Sequence, residues 1–139
     1  MCIAAYATDY GKYYQNLPVK MQQPEMPVIP DYSVNLKDFG AVGDGITLNT
    51  AAFEKAVKAL DNKGGGHLIV PEGVWLTGLI SLKDNIDLHL EKNAIIVFSE
   101  DKNDLIKIDE KTGQKEDRAT AAVNASKRKN ISITGEGTI

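Results

Sequence analysis

The chain has 139 residues, about the length of one domain. Its residues are 42% hydrophobic and 25% charged, as in ordinary globular proteins, and its net charge is −3 at pH 7. It has neither the clustered basic face of a nucleic-acid-binding protein nor a stretch approaching the ~20 apolar residues of a membrane-spanning helix. The basic residues within Lys115–Lys129 lie among acidic ones and predict a solvated loop. The single cysteine, Cys2, excludes an intrachain disulfide.

Residues 1–33 predict an extended N-terminal arm. The apolar start, Met1–Ala7, fits either the end of a trimmed secretion signal or an ordered strand. We expect the arm's tyrosines to pack on the body of the protein, because a mobile leader gives a carbohydrate-stacking platform no rigid support. The arm contains all the tyrosines and most of the prolines, which exclude a long helix: Tyr6, Tyr10, Tyr13, Tyr14, Tyr32, Pro18, Pro24, Pro27 and Pro30.

The next segment predicts a strand, a turn and a helix. Val34–Gly40 suits a short strand, and the glycines of Gly40–Gly45 predict a tight turn that lacks the patterns of phosphate-binding loops. The helix is predicted over 49–62, with Asn49 or Thr50 as N-cap. Its apolar stripe consists of Phe53, Ala56, Val57 and Leu60. Glu54 and Lys58 form a favourable i,i+4 pair on the exposed face, and Gly64 is placed for a left-handed cap.

After Gly66 the sequence changes to short β-rich runs separated by turn-forming residues. No second helical period appears, so a sandwich, a barrel or a solenoid is predicted. The predicted strands are His67–Val70, Val74–Thr77, Leu79–Leu82, Ile86–Leu90, Ala94–Phe98, Leu105–Ile108, Ala121–Asn124 and Ile131–Thr134.

An internal repeat favours the solenoid. Asn85-Ile86-Asp87-Leu88 recurs as Asn130-Ile131-Ser132-Ile133, and we interpret the offset as two coils of roughly 20–25 residues each. In each coil the apolar residues would face the core, and the Asn would bond at a corner or stack on its counterpart in the next coil.

Several motifs follow one another in a fixed order. They are Asp38-Phe39-Gly40-Ala41-Val42-Gly43-Asp44-Gly45-Ile46-Thr47-Leu48-Asn49-Thr50, Gly64-Gly65-Gly66, Val70-Pro71-Glu72-Gly73, Leu76-Thr77-Gly78, Leu82-Lys83-Asp84-Asn85-Ile86-Asp87-Leu88 and Ile133-Thr134-Gly135-Glu136-Gly137-Thr138-Ile139. With them, Val34–Ile139 resembles the N-terminal third of glycoside hydrolase family 28, the polygalacturonase-like enzymes of the pectin-lyase-like superfamily. The resemblance implies a mainly β fold, a right-handed parallel β-helix in which residues 34–139 form the first coils and the helix caps their N-terminal end.

That family hydrolyses galacturonosyl linkages of pectin with carboxylates in Asn-Thr-Asp and Asp-Asp motifs, and positions the substrate with Gly-His-Gly and Arg-Ile-Lys. None of these motifs occurs here: the nearest matches are Asn49-Thr50-Ala51, Gly66-His67-Leu68 and Arg128-Lys129-Asn130. We therefore assign no catalytic, cofactor-binding or metal-binding residue, and expect this chain alone to be inactive.

The remaining candidates have plainer interpretations. We interpret His67 as a turn or strand-edge residue, His89 as an outward-facing solvated residue and Trp75 as a packing residue rather than a sugar-stacking one. The polar excursion 99–119 is interpreted as a surface loop rather than the edge of a substrate groove. Its acidic residues have no demonstrable calcium-binding arrangement: Asp101, Asp104, Asp109 and Asp117.

The resemblance implies part of a secreted or periplasmic pectin-degrading hydrolase with a polysaccharide partner and no nucleic acid, cofactor or membrane span. The alternatives are a non-catalytic β-helix binding module and a lyase or tailspike-type β-helix. An uncovered last coil at Ile139 predicts self-association through bare strand edges.

Overall fold

The computed structural model describes residues 10–22, 24–109, 111–119 and 121–139, so the expectation for Met1–Ala7 lies outside the described residues. The described residues form one α-helix, α1 (Thr50–Asp61), and short 3-10 helices at Tyr10–Tyr14, Leu36–Phe39 and Lys102–Leu105. The strands are β1 (Ser33–Asn35), β2 (Gly66–Val70), β3 (Gly73–Thr77), β4 (Ile80–Ser81), β5 (Ile86–Leu90), β6 (Ala94–Phe98), β7 (Ile106–Ile108), β8 (Lys115–Ala119), β9 (Val123–Asn124) and β10 (Ser132–Gly135).

Most strand pairs are parallel. The largest sheet has the order β1-β2-β5-β10, and β3 pairs with β6 and β4 with β9, all in parallel register. Only the β7–β8 pair, among the described strands, is antiparallel. From β2 to β6, successive strands of the chain lie in different sheets. Strands β2, β3 and β4 each pair in parallel with a later strand. The described residues are mainly β with one α-helix, which confirms the mainly β fold class.

The predicted strands are confirmed from β2 to β10 with one omission. The omitted strand is β8, whose charged sequence lacks the apolar pattern of a strand. It pairs with β7 in antiparallel register, within the segment predicted to be a surface loop. The strand predicted over Val34–Gly40 is wrong beyond Asn35. There the Asn35 side chain accepts a bond from the Lys37 N–H at 3.0 Å and starts a 3-10 turn, which Gly40 ends with a φ of 83°.

The two-coil interpretation of the internal repeat is also wrong. Asp87 on β5 is paired directly with Ser132 on β10, so the repeat spans a single step between neighbouring strands. The preceding step, from His67 on β2 to Asp87 on β5, covers fewer residues and has the length expected of one coil. The longer step arises because β7 and β8 are inserted between β6 and β9. The predicted stacking of asparagines is confirmed: Asn130 Nδ2 donates to Asn85 Oδ1 at 2.8 Å.

Helix α1 packs its apolar stripe onto the strands. Phe53 and Leu60 are almost fully buried, together with Ala56 and Val57. Burial of each large side chain contributes about 1.5–3 kcal/mol. Beneath the helix, Leu68 of β2 lies beside Leu88 of β5, and both are fully buried.

The ends of α1 agree with the prediction to within one residue, but its contacts differ. Gly64 adopts the expected left-handed conformation, with a φ of 86°. Glu54 and Lys58 form no ion pair of the kind predicted. Asn49 is the N-cap residue, yet its side chain makes no cap bond.

Instead, the side chain of Asn49 joins three segments. It accepts from the Val42 N–H at 2.8 Å and donates to the carbonyls of Val42, Thr47 and Leu76. The Asn49 backbone N–H also donates to Leu76 O at 2.8 Å. Because Asn49 is only 2% exposed, these bonds replace water and fix the loop 40–49 against β3.

Two tyrosines of the arm are not packed on the body as expected, whereas Tyr14 is partly buried. Tyr13 and Tyr32 are exposed, and Lys12 Nζ lies 5.0 Å from the centroid of the Tyr13 ring. The arm begins with the 3-10 helix Tyr10–Tyr14, and its residues up to Asp31 form no strand among those described. The division into an arm over 1–33 and a body over 34–139 stays a prediction.

One core hydroxyl yields a stability prediction. Thr77 Oγ1 is buried and bonds to no protein atom, so its desolvation is uncompensated. Thr77→Val keeps the shape and removes that hydroxyl, and we expect urea unfolding to show a gain of about 1 kcal/mol. The matched control is Thr134→Val, which removes a hydroxyl bonded to Asp87 and should be destabilising. Equal losses in both variants would contradict the assignment.

Candidate functional site

The most elaborate polar cluster of the described residues centres on Asp87. Asp87 lies on β5 between Ile86 and Leu88, whose side chains point into the core. Since successive side chains of a strand point to opposite faces, Asp87 projects from the other face of the sheet. It is nevertheless only 2% exposed, because side chains of β2 and β10 enclose it.

Three donors satisfy the buried carboxylate. His67 Nδ1 on β2 lies 2.8 Å from Asp87 Oδ2, Ser132 Oγ on β10 donates to Oδ1 at 2.7 Å, and Thr134 Oγ1 donates to Oδ2 at 2.9 Å. Hydrogen bonds to an ionised acceptor are stronger than neutral ones. The carboxylate therefore joins β5 to β2 and β10 through side-chain hydrogen bonds. These add to the backbone pairing of the three strands.

The cluster also fixes both imidazole tautomers. A carboxylate only accepts, so His67 must carry its hydrogen on Nδ1. Thr134 uses its single hydrogen on Asp87 and must therefore accept from His89 Nδ1, which lies 2.7 Å away. Both rings thus donate through Nδ1.

These residue types resemble those of a hydrolytic triad, but their connections differ. In a triad the histidine lies between the nucleophile and the carboxylate, whereas Ser132 bonds directly to Asp87. Glycoside hydrolysis requires two carboxyl groups flanking the bond, and this cluster has one. The arrangement joins three strands through side chains and does not reproduce the order of a triad.

The sequence interpretation located the histidines but missed the centre of the cluster. His67 is not at a sheet edge, since β2 pairs with both β1 and β5. His89 is partly exposed, as expected, and also bonds to Thr134. Asp87 was overlooked. Its signal was an acidic residue in an otherwise apolar run, opposite Ser132 in the internal repeat.

Three of the acidic residues named in the excursion bind nearby residues instead of converging, and the side chain of the fourth, Asp117, lies outside the described residues. Asp101 accepts from the backbone and side-chain N–H groups of Asn103, which hold its pKa below the usual range, and Ser99 Oγ donates to Asp104. Asp109 accepts from Thr112 and Lys111, whose backbone N–H groups likewise lower its pKa. Within the described ranges, no three His, Cys, Asp or Glu side chains are placed to share a metal ion.

Asp44 has the same role in the loop before α1. The backbone N–H groups of Thr47 and Ile46 donate to it and hold its pKa below the usual range. The contribution of this carboxylate to the loop is present above the unfolded-state pKa and is lost as pH falls through the lowered value. The loop is therefore held by an ionised group at neutral pH.

Two further sequence candidates have clear positions. Trp75 is fully buried and donates from Nε1 to Pro71 O at 2.8 Å, so it packs in the core and offers no face to a sugar. The excursion lines one wall of a groove of about 930 Å³, with α1 opposite. The groove's charged residues are of both signs: Lys58, Lys83, Lys107, Lys111, Arg128, Glu54, Asp61, Asp104 and Asp109.

Asp87→Asn tests the cluster. The amide replaces one acceptor with a donor that faces the donors of its neighbours, so we expect a loss of about 2–3 kcal/mol in urea unfolding. Asp31→Asn, at an exposed arm residue, is the charge-matched control and should leave the midpoint unchanged. An unchanged midpoint in Asp87→Asn would show that the carboxylate does not join the strands.

A protein-family model and several known proteins are similar to this chain. A protein-family model described as rhamnogalacturonase A/epimerase, pectate lyase-like matches residues 33–138. The "Probable polygalacturonase" of Vitis vinifera is 48% identical over 73 residues, covering 50% of this chain. The exo-poly-alpha-D-galacturonosidase of Dickeya chrysanthemi is 36% identical over 117 residues, covering 76% of this chain. The chain spans 15% and 19% of the lengths of these two relatives.

A solved structure agrees with the sequence relatives. The hyperthermoactive exopolygalacturonase from Thermotoga maritima aligns over 81% of this chain and 26% of its own, with a TM-score of 0.71 and 43% identity. No helix among the described residues is long and apolar enough to cross a membrane. The resemblance to polygalacturonase-like enzymes is confirmed, and the chain belongs to the rhamnogalacturonase A/epimerase, pectate lyase-like family.

Proposed function

We propose that this chain is the N-terminal part of an enzyme that hydrolyses galacturonosyl linkages in pectin, and that its catalytic carboxylates lie outside these 139 residues. The observation that supports this is the family match over 33–138 together with the small share of each relative that the chain spans. The polar cluster around Asp87 serves the scaffold, and the chemistry belongs to other parts of the enzyme.

For the whole protein we propose a right-handed parallel β-helix. Residues 34–139 would form its N-terminal cap and first coils, with α1 closing the end, and residues 1–33 its arm. The succession β2, β3, β4 followed by β5, β6, β9 supports this, because each strand of the second group pairs in parallel with its counterpart in the first. The insertion of β7 and β8 then belongs to the second coil.

A polymeric substrate also bears on location. Pectin is too large to cross a membrane intact, so an enzyme acting on the polymer meets it in the periplasm or outside the cell. We therefore propose a secreted or periplasmic protein whose partner is polygalacturonan.

The non-catalytic module and the lyase or tailspike-type protein are distinguished by the reading frame beyond residue 139. Asn-Thr-Asp, Asp-Asp and Gly-His-Gly motifs within the next coils support the hydrolase. Two carboxyl groups about 6.5–9.5 Å apart would then flank the bond and leave room for an attacking water.

The decisive test is an assay of the protein from the complete reading frame on polygalacturonate. We expect release of saturated galacturonate products, abolished when either aspartate of the Asp-Asp motif is replaced by asparagine. The matched control is Asp31→Asn, which should keep full activity. Unsaturated products would identify a lyase, and tight polymer binding without products a binding module; either result would overturn the proposal.

A further inference from the structure

The two histidines of the Asp87 cluster each have one ring nitrogen that the cluster does not use. His67 and His89 are the only histidines of the chain, and both donate through Nδ1. A neutral imidazole carries its hydrogen on one nitrogen, so Nε2 of each ring has a free lone pair. Among the described residues, neither Nε2 has a hydrogen-bond partner. An unprotonated imidazole nitrogen is the atom through which histidine binds a metal ion.

Strand register places the two rings beside each other. His67 on β2 pairs with Asp87 on β5, and His89 lies two residues after Asp87, on the same face of the sheet. The two histidines are therefore diagonal neighbours, and the spacing of strands and residues in a sheet puts their Cα atoms about 8 Å apart. The His67 side chain is 24% exposed and His89 is also partly exposed, so solvent reaches both.

Hydrogen bonds between side chains also hold the rings together. His67 Nδ1 and Thr134 Oγ1 both donate to Asp87 Oδ2, at 2.8 and 2.9 Å. Thr134 Oγ1 in turn accepts from His89 Nδ1 at 2.7 Å, so both rings are anchored through Nδ1 to groups that meet at one carboxylate oxygen. Metal-binding histidines commonly donate their other N–H to a carboxylate, which orients the ring and makes it more basic. The cluster supplies that support before any ion binds.

We propose that His67 and His89 bind one divalent transition-metal ion through their Nε2 atoms, with water at the other coordination positions. Imidazole nitrogen suits Zn²⁺, Cu²⁺ and Ni²⁺, whereas Mg²⁺ and Ca²⁺ select oxygen ligands. Asp87 is not a ligand, because its oxygens already accept from three donors. The ion joins β2 to β5 across the outer face of the sheet and stabilises the folded chain by mass action. It takes no part in the proposed hydrolysis.

Calorimetric titration of NiCl2 into the Cys2→Ser chain tests the site, since that background removes the only thiol. We expect one Ni²⁺ per chain, a thermal unfolding midpoint that rises with Ni²⁺, and no response to Mg²⁺. His67→Asn and His89→Asn each keep an N–H donor near the position of Nδ1 and lose Nε2, so each should weaken binding by about tenfold or more. The control Asp31→Asn should bind as the parent does. Absence of binding, two ions per chain, or a histidine variant that binds as tightly as the parent would overturn the proposal.

Long-range ¹H–¹⁵N NMR spectra of the imidazoles test the same site without histidine variants. Before metal is added, both rings should show the tautomer with hydrogen on Nδ1. One equivalent of Zn²⁺ should then shift the Nε2 resonances of both rings together, because one ion contacts both. A shift of one ring alone, or of neither ring, would contradict the proposal.

Discussion

Stacking parallel strands in layers requires that every buried polar group finds a hydrogen-bond partner in its own or a neighbouring layer. Asp87, a carboxylate that is only 2% exposed, depends most on this requirement. A buried carboxylate without partners would cost several kcal/mol, so the surrounding strands must supply donors at fixed heights. His67 on one side and Ser132 and Thr134 on the other do so at 2.7–2.9 Å. These bonds tolerate no register shift, because a slip of one residue would turn each donor to the opposite face.

The same principle organises the other connections. Asn85 and Asn130 bond to each other at the corner where successive layers turn, and both have positive φ values, of 59° and 53°. Asn49 performs a similar task before the first full layer, where it joins the loop 40–49 to β3. Polar side chains thus specify how the layers are aligned, while the apolar residues of α1, β2 and β5 supply the driving force.

Local patterns predicted the elements, and tertiary contacts determined what the patterns could not. The stripe of α1 and the apolar alternation of β5 were sufficient to place both elements, because burial follows periodicity. The strand β8 was missed because its residues are charged and its pairing with β7 is not encoded locally. The number of residues in the second coil was predicted wrongly. The internal repeat gives the distance between two matching segments in the sequence but not the number of coils between them. Asp87 was missed because its donors come from strands 20 residues before it and 45 residues after it.

The contacts of Asp87, Asn49 and Asn85 stabilise the fold of this chain. Residues 33–138 match a family of carbohydrate-active enzymes, and we propose that the residues that cut the glycosidic bond lie outside this chain. The most direct test is product release from polygalacturonate by the 139-residue chain itself, with a family exopolygalacturonase as positive control. We predict no release above the substrate blank. Turnover that persists through purification and is lost on substitution of an acidic residue of this chain would contradict it.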